Sequence, residues 1–127
     1  DAIVTDHAPH EASRKRDLET AAFGVIGLET AWPVLHELVR RGELPLETAL
    51  SAITHRAARC FGFSDRARFV PGAVGDVTVY DPAAAWSVTG DFVSKSRNSP
   101  FAGWNLPGRV RAVFVGGVKV FDAASAG

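Results

Sequence analysis

The first ten residues constrain the fold most, because an apolar run there meets ionisable side chains abruptly. Residues 2–4 predict a short, fully buried strand, which ends at the polar residues Thr5, Asp6, His7 and His10. An ionised carboxylate is costly to bury, so we expect Asp6 to face a metal, a cation or a set of hydrogen-bond donors. Parallel α/β proteins place their chemistry at the carboxyl ends of strands, so this segment is the candidate active site.

The charge and hydropathy of the chain exclude several classes of function. The chain has 127 residues, and its 14 Lys and Arg balance its 14 Asp and Glu, so the formal net charge is zero. Such a chain lacks the basic surface that nucleic acids and anionic membranes attract. No apolar run approaches the roughly 18 residues of a membrane-spanning helix, and nothing resembles a signal peptide. We therefore expect a cytoplasmic protein without a nucleic-acid or membrane partner.

The chain has no Met and a single cysteine. The missing initiator, with a strand at the very start, predicts the carboxy-terminal part of a longer protein. Cys60 cannot form an internal disulfide, which suits a reducing compartment. Because Phe61 and Phe63 follow it closely, we expect Cys60 to be a buried spacer rather than a nucleophile.

A polar loop and three helices are predicted after the first strand. Residues 11–20 predict a solvated loop, with a mobile lid over the active site as the alternative. Gly24 and Gly27 permit a ligand to approach the backbone closely. Apolar residues at helical spacing predict helices over 28–41, 45–53 and 55–61.

Particular side chains refine this helical prediction. Pro33 predicts a kink in the first helix, and the Thr54 side chain is expected to cap the third. We interpret His36 and His55 as structural residues, because neither has partners at metal-ligand spacing.

The composition changes near residue 64, where a β-rich region begins. Alternating and β-branched residues predict strands over 76–80, 86–89, 109–115 and 118–121. Asp81 and Pro82 are expected to end the first of these strands. Gly116 and Gly117 predict a hairpin turn between the last two.

Three stretches of the sequence resemble dihydroorotases, a family of the amidohydrolase superfamily of metal-dependent barrels. The bacterial, longer-chain branch of that family is the most similar. The stretches occur in the expected order at residues 5–10 (Thr-Asp-His-Ala-Pro-His), 21–30 and 94–104. The chain departs from the family at Ala22 and Ala57, where the family commonly has Pro.

The resemblance implies an α/β fold, a carboxy-terminal fragment of a TIM-barrel hydrolase. Residues 1–63 would be the last strand, the active-site loop and the terminal helices of the barrel. Residues 64–127 would be part of a small β-sandwich domain that strands from the far amino terminus complete. Incomplete edges and apolar faces favour association. A homodimer is therefore expected, and the resemblance also implies aspartate transcarbamoylase as a partner.

The resemblance also implies the chemistry. The intact enzyme would use one or two zinc ions to interconvert L-dihydroorotate and N-carbamoyl-L-aspartate, a step of de novo pyrimidine biosynthesis. Asp6 would be both a zinc ligand and the catalytic base, which then returns its proton to the departing amide nitrogen. His10 would bind the substrate carboxylate, and Phe23 and Gly24 would contact the ring through backbone groups.

This chain does not contain the whole predicted centre. Adjacent residues of a strand face opposite ways, so His7 is assigned a structural role beside Asp6. The sequence contains no His-x-His pair, and a stable zinc site needs about three or four protein ligands. We therefore expect the isolated chain to be inactive and to bind no zinc tightly, with the other ligands lying upstream.

Other interpretations of the same residues stay open. Asp6 and His10 alone would be consistent with a turn-capping carboxylate and a surface imidazole. The enzyme alternatives are other cyclic amidohydrolases, such as a hydantoinase or an allantoinase. A non-catalytic scaffold partner of aspartate transcarbamoylase is the alternative from a different class. Residues 94–104 are interpreted as a packing and turn element, because Pro100, Gly103 and two aromatic residues suit a pinned loop.

Overall fold

The computed structural model describes residues 1–63 and 65–125. Three helices precede a three-stranded sheet, and the polar segment from Asp1 to Thr30 contains one short 3₁₀ turn. The predicted start of the β-rich region at Ser64 lies outside the described residues, as do residues 126–127. Among the described residues, every helix is too short or too polar to cross a lipid bilayer.

The helices form where the apolar spacing predicted them, with shorter bounds. They are α1 (Ala31–Arg40), α2 (Leu46–Ile53) and α3 (His55–Cys60). Pro33 is the third residue of α1, so it falls in the first turn, where the missing N–H has no helical partner to lose. Pro45 precedes α2 in an extended conformation, and its carbonyl accepts the N–H of Ala49.

Two expectations about α3 are wrong. The Thr54 hydroxyl does not cap this helix; it donates to the carbonyl of Leu50 at 2.6 Å, because a hydroxyl competes readily for the carbonyl four residues back. Cys60 is exposed rather than buried. The reason is that α3 is a six-residue helix that presents no buried face, and the neighbouring Phe61 and Phe63 are exposed as well.

The sheet is antiparallel, in the order β1-β2-β3. Its strands are β1 (Val77–Ser87), β2 (Asn105–Val115) and β3 (Val118–Asp122). The predicted hairpin between β2 and β3 is confirmed, with Gly116 and Gly117 in its turn at positive φ. Asp81 and Pro82 do not end β1. The register shifts between Asp81 and Ala85, so Pro82 lies in an irregularity of the ladder, where a strand tolerates a residue without an N–H.

The predicted strand at residues 2–4 is not observed. Ile3 and Val4 are exposed, Val4 at 69% of its surface, and only the neighbouring His7 forms a single parallel bridge, with Val25. Among the described residues no strand lies beside residues 2–4 to complete a ladder, and an isolated strand has no partners for its backbone groups. The backbone of residues 2–4 is instead held by a hydrogen bond from the Ile3 N–H to the carbonyl of Ala52, at the end of α2.

The hydrophobic core joins the first thirty residues to the sheet. Ile26 packs in one cluster with Val88, Phe92 and Leu106, and Val34 and Trp86 cover that cluster. Burial of Ile26 at this point fixes the loop that precedes α1 against the connection between β1 and β2. The candidate site is therefore built from parts of the chain about seventy residues apart.

Candidate active site

Two short segments form the candidate site: the strand-exit segment, residues 5–10, and the Phe23 segment, residues 22–26. They run side by side, with a parallel bridge between His7 and Val25 and a hydrogen bond from the Ala8 N–H to the Val25 carbonyl at 2.9 Å. Gly24 has φ +98°, and a Cβ built on it would lie 2.5 Å from that of Ala8. The absence of a side chain at Gly24 thus permits the close approach of the strand-exit segment.

Gly27, which directly follows the Phe23 segment, also permits a close approach to the strand-exit segment, at Thr5. A Cβ there would lie 3.2 Å from the Cβ of Thr5 and 3.3 Å from its carbonyl oxygen. The two segments therefore approach each other as closely as backbone allows, which fixes their relative position.

Asp6 lies in the left-handed region of backbone space, with φ 43°. Asp is among the few non-glycine residues that adopt this conformation at modest cost, because its short side chain can bond locally. The side chain of Asp6 is exposed in this chain, and the predicted metal, cation or donors that it would face stay a prediction. The left-handed turn also breaks the regular alternation on which the opposite orientation of Asp6 and His7 was predicted.

His7 is held by backbone. Its Nδ1 accepts the N–H of Gly27 at 3.1 Å and that of Leu28 at 3.3 Å. Because both partners are donors, Nδ1 is unprotonated, and the ring proton of neutral His7 lies on Nε2. These contacts are those of a residue with a structural role, whichever way Asp6 faces.

His10 and Phe23 meet directly. Nε2 of His10 donates to the carbonyl of Phe23 at 2.8 Å, since a carbonyl can only accept. The Phe23 side chain is 95% exposed, so the residue is held through its backbone and not through its ring. The structure thus brings together His10, Phe23 and Gly24, three of the residues that the sequence analysis selected.

Three further polar side chains reach these segments, and sequence reasoning did not select them. Lys15, in the 3₁₀ turn Ala12–Lys15, donates to the carbonyls of Ala22 and Gly24, the latter at 2.6 Å. Ser96 and Asn98 reach the same region from the connection between β1 and β2. The only sequence signal for Ser96 and Asn98 was their place in the third stretch of resemblance, residues 94–104.

The loop after His10 is tied down at several points. Besides the Lys15 contacts, the Ala22 N–H donates to the Arg14 carbonyl at 3.0 Å, and the Asp17 carboxylate accepts from Glu19 N–H and the Thr20 hydroxyl. Leu18 at its tip is nonetheless almost fully exposed. The prediction of a solvated loop agrees with this exposure.

Glu29 links the start of α1 to the connection between β1 and β2. Its carboxylate accepts the N–H groups of Val93 and Ser94 and the Ser94 hydroxyl at 2.7–3.1 Å. Partial burial raises its pKa, but the hydrogen bonds from Ser94 and Val93 and the charge of Arg97 outweigh burial, so the pKa of Glu29 is lowered overall.

A second group of polar side chains joins α1 to β1. Tyr80 donates its hydroxyl proton to the Pro107 carbonyl at 2.7 Å, so Nδ1 of His36, at 3.0 Å, is the donor to the Tyr80 oxygen. Burial, with the nearby charge of Asp81, raises the pKa of Tyr80 to about 12. Trp32 stacks on His36, as expected of a structural histidine. These rings line an open, mostly apolar cleft of about 1100 Å³ between the helices and residues 67–78.

The described residues do not make a metal centre by themselves. No group of three or more His, Cys, Asp or Glu side chains gathers within residues 1–63 and 65–125. Asp6 supplies one carboxylate, and a zinc site needs about three or four protein ligands. The described residues therefore gather fewer donors than a zinc site needs.

Sequence comparison finds curated relatives along the whole chain. It is 44% identical over 124 residues to a dihydroorotase of Geobacter metallireducens, covering 95% of this chain and 29% of the relative. It is 40% identical over 129 residues to a dihydroorotase of Bacillus caldolyticus, covering 99% of this chain and 30% of the relative. The chain thus spans under a third of the length of these relatives and matches a carboxy-terminal part of them. No family model matches the chain.

Solved structures with a similar fold include hydantoinases. An L-hydantoinase of Arthrobacter aurescens superimposes with a TM-score of 0.87 at 28% identity, covering 96% of this chain and 29% of that one. A D-hydantoinase of a Thermus species gives 0.86 at 24% identity, covering 96% and 28%. The mixed helix and sheet arrangement is therefore that of a part of the amidohydrolase structures.

Proposed function

We propose, from the homology of this chain to a carboxy-terminal part of dihydroorotases, that it carries the catalytic base and part of the substrate-binding surface of a zinc-dependent dihydroorotase. The intact enzyme would hydrolyse L-dihydroorotate reversibly to N-carbamoyl-L-aspartate in pyrimidine synthesis. The observation that carries the proposal is the contact of His10 with Phe23 beside Gly24, which joins the two segments selected for substrate binding.

The proposed architecture follows the same homology. Residues 1–63 would end a TIM barrel, and residues 64–127 would belong to a β-sandwich. The fold similarity to hydantoinases and the antiparallel sheet β1-β2-β3 support this division. In such a barrel the strand-exit segment would lie at the carboxyl end of the last strand, where barrel enzymes carry their catalytic residues.

Asp6 is proposed to move the proton of the reaction. Hydrolysis adds water to the ring carbonyl carbon and breaks the bond from that carbon to the ring nitrogen. The Asp6 carboxylate would accept a proton from the attacking water and then deliver it to the departing nitrogen. Its exposure leaves it accessible to water and substrate. Zinc, when bound by residues additional to those described, would supply Lewis acidity toward the water and the carbonyl.

His10 and the Phe23 segment are proposed to hold the substrate. Because Nε2 of His10 is engaged by the Phe23 carbonyl, its Nδ1 is the atom available to the substrate carboxylate, and this nitrogen must carry a proton to donate. The carbonyls of Phe23 and Gly24 already accept hydrogen bonds. We therefore expect their N–H groups, rather than their oxygens, to contact the ring.

Substitution of Asp6 in the full-length protein tests the proposal. We expect Asp6→Ala and Asp6→Asn to lower kcat for dihydroorotate by about 10²- to 10⁴-fold, the usual contribution of a general base. Asp1→Asn is a matched control, because Asp1 is an almost fully exposed carboxylate five residues before Asp6 and outside the strand-exit segment. Normal turnover by Asp6→Ala, or a wild-type protein inactive on dihydroorotate, would refute the proposal.

A hydantoinase-type activity is the second candidate, because the structural relatives are hydantoinases. Assay of the same wild-type protein with dihydroorotate, hydantoin and allantoin separates the candidates. A preference for dihydroorotate is expected, since His10 offers a partner for a substrate carboxylate that the other two lack. The retained Asp6 and His10 count against a purely scaffolding role.

A further inference from the structure

Asn98 bridges the two segments of the candidate site from seventy or more residues away. Its Nδ2 donates to the Gly24 carbonyl at 3.1 Å and to the Ala8 carbonyl at 3.4 Å. Its own backbone carbonyl accepts the N–H of Ile26 at 3.3 Å. Asn98 therefore contacts both the strand-exit segment and the Phe23 segment. Its partners Ala8 and Gly24 lie close in sequence to His10 and Phe23, which bond to each other.

Ser96 connects the Asn98 side chain to the strand-exit segment. The Ser96 hydroxyl lies against Oδ1 of Asn98 and against the His10 carbonyl, the latter at 2.7 Å. The Asn98 N–H in turn points to the Ser96 oxygen at 3.4 Å. The Gly24 and Ala8 carbonyls can only accept, so the Nδ2 group is the end of the amide that faces them, and Oδ1 then lies toward Ser96. The single hydroxyl proton of Ser96 is shared between Oδ1 and the His10 carbonyl. Ser96 is only 6% exposed, so water competes little for these bonds.

We propose that Asn98, in contact with Ser96, is a positioning residue that sets the placement of His10 and the Phe23 segment for substrate binding. The proposal rests on the proposed function and deepens it. A carboxamide is required at this position because a single side chain must donate to two carbonyls and accept from one hydroxyl. Lys15 also donates to the Gly24 carbonyl, so loss of Asn98 displaces the Phe23 segment without removing all its contacts.

The test uses Asn98→Ala, Asn98→Asp and Ser96→Ala in the full-length protein. Asn98→Asp retains the acceptor for Ser96 but cannot donate to the Gly24 and Ala8 carbonyls. Asn105→Ala is a matched control, because Oδ1 of Asn105 accepts from Ser87 at 2.6 Å in a similar Asn–Ser pair on the sheet. We expect both Asn98 variants to raise KM for dihydroorotate about tenfold while kcat stays within about threefold, since the displaced groups bind substrate. The control should match wild type.

The split between KM and kcat separates positioning from folding. A protein that merely folds less well has fewer active molecules, so its apparent kcat falls and its KM is unchanged. That result for Asn98→Ala, or wild-type constants for Asn98→Asp, would overturn the proposal. An inactive wild type would instead refute the proposed function.

Amide hydrogen exchange tests the positioning role independently of activity. We expect Asn98→Ala to lower protection about tenfold in residues 8–26, which include the hydrogen bond from Ala8 to Val25, and Asn105→Ala to leave it unchanged. Unchanged protection in Asn98→Ala would overturn the proposal whatever the enzyme assay shows.

Discussion

Single residues in this chain are constrained by contacts that the sequence does not display. Gly108 is the clearest case, because it lies under the ring of Tyr80 within β2. Its φ is +79°, and a Cβ built there would lie 1.7 Å from the Tyr80 hydroxyl oxygen. A side chain at this position would have to push the ring away and break the hydrogen bond from Tyr80 to Pro107.

Gly108→Ala is therefore expected to destabilise the protein by more than about 2 kcal/mol, the sum of backbone strain and a displaced, half-buried ring. Gly90→Ala is the control: Gly90 has φ +94° but nothing within 4 Å of its Cβ position, so only the strain of about 1 kcal/mol applies. Urea unfolding midpoints of the two variants measure the difference. Equal losses of stability in Gly108→Ala and Gly90→Ala would mean that the Tyr80 ring moves aside without an energetic cost.

At the scale of secondary-structure elements, Glu29 joins two parts of the fold. Its carboxylate holds the connection between β1 and β2 beside the start of α1. Its hydrogen bonds go to residues 93 and 94, some 65 positions along the chain. Because the pKa of Glu29 is lowered below its ordinary value of 4.5, the ionised form favours the folded state. The stability it contributes is present above pH 4.5 and is lost as the pH falls through the lowered pKa.

Glu29→Gln is expected to cost about 1 kcal/mol at pH 7, a modest value because the carboxylate is only partly buried and the amide keeps one acceptor oxygen. The difference from wild type should shrink as the pH falls below about 4.5, since protonated Glu29 resembles the amide. Thermal or urea unfolding of both proteins at pH 7 and pH 3.5 measures this difference in stability. Glu47→Gln, an exposed first-turn carboxylate of α2, serves as the comparison. A cost that does not change with pH would contradict the assigned role.

At the scale of the whole molecule, the proposed function requires metal ligands additional to those of the described residues. Asp6 is a single potential ligand, and the described residues contain no group of three metal-binding side chains. Large apolar side chains at several points are also exposed, among them Leu18, Phe23, Phe69 and Val93. These surfaces are consistent with the predicted association, which stays a prediction.

The isolated 127-residue chain is expected to bind no zinc stoichiometrically at submicromolar concentration, because one carboxylate cannot replace three or four ligands. Calorimetric titration of the chain and of its Asp6→Ala variant should give the same weak response. Tight, stoichiometric binding that disappears in Asp6→Ala would show that the chain forms a site of its own.

Local sequence signals determined much of this protein. Helical spacing placed α1, α2 and α3 to within a few residues, and the two glycines at 116 and 117 determined the β2–β3 hairpin. These features depend on residues close together in the chain. The six-residue motif around Asp6 is local as well. It indicates the candidate site, and together with residues 21–30 and 94–104 it indicates the resemblance to dihydroorotases.

Tertiary structure decided what depends on distant partners. Residues 2–4 have the composition of a buried strand, but burial requires a neighbouring strand, and the described residues provide none. Cys60 is exposed because the short α3 buries no face, which its apolar neighbours do not reveal. The bridge from Asn98 to Gly24 and Ala8 spans 74 and 90 residues. Such contacts follow from the packing of Ile26 against the sheet, and packing is a property of the folded chain rather than of any stretch of its sequence.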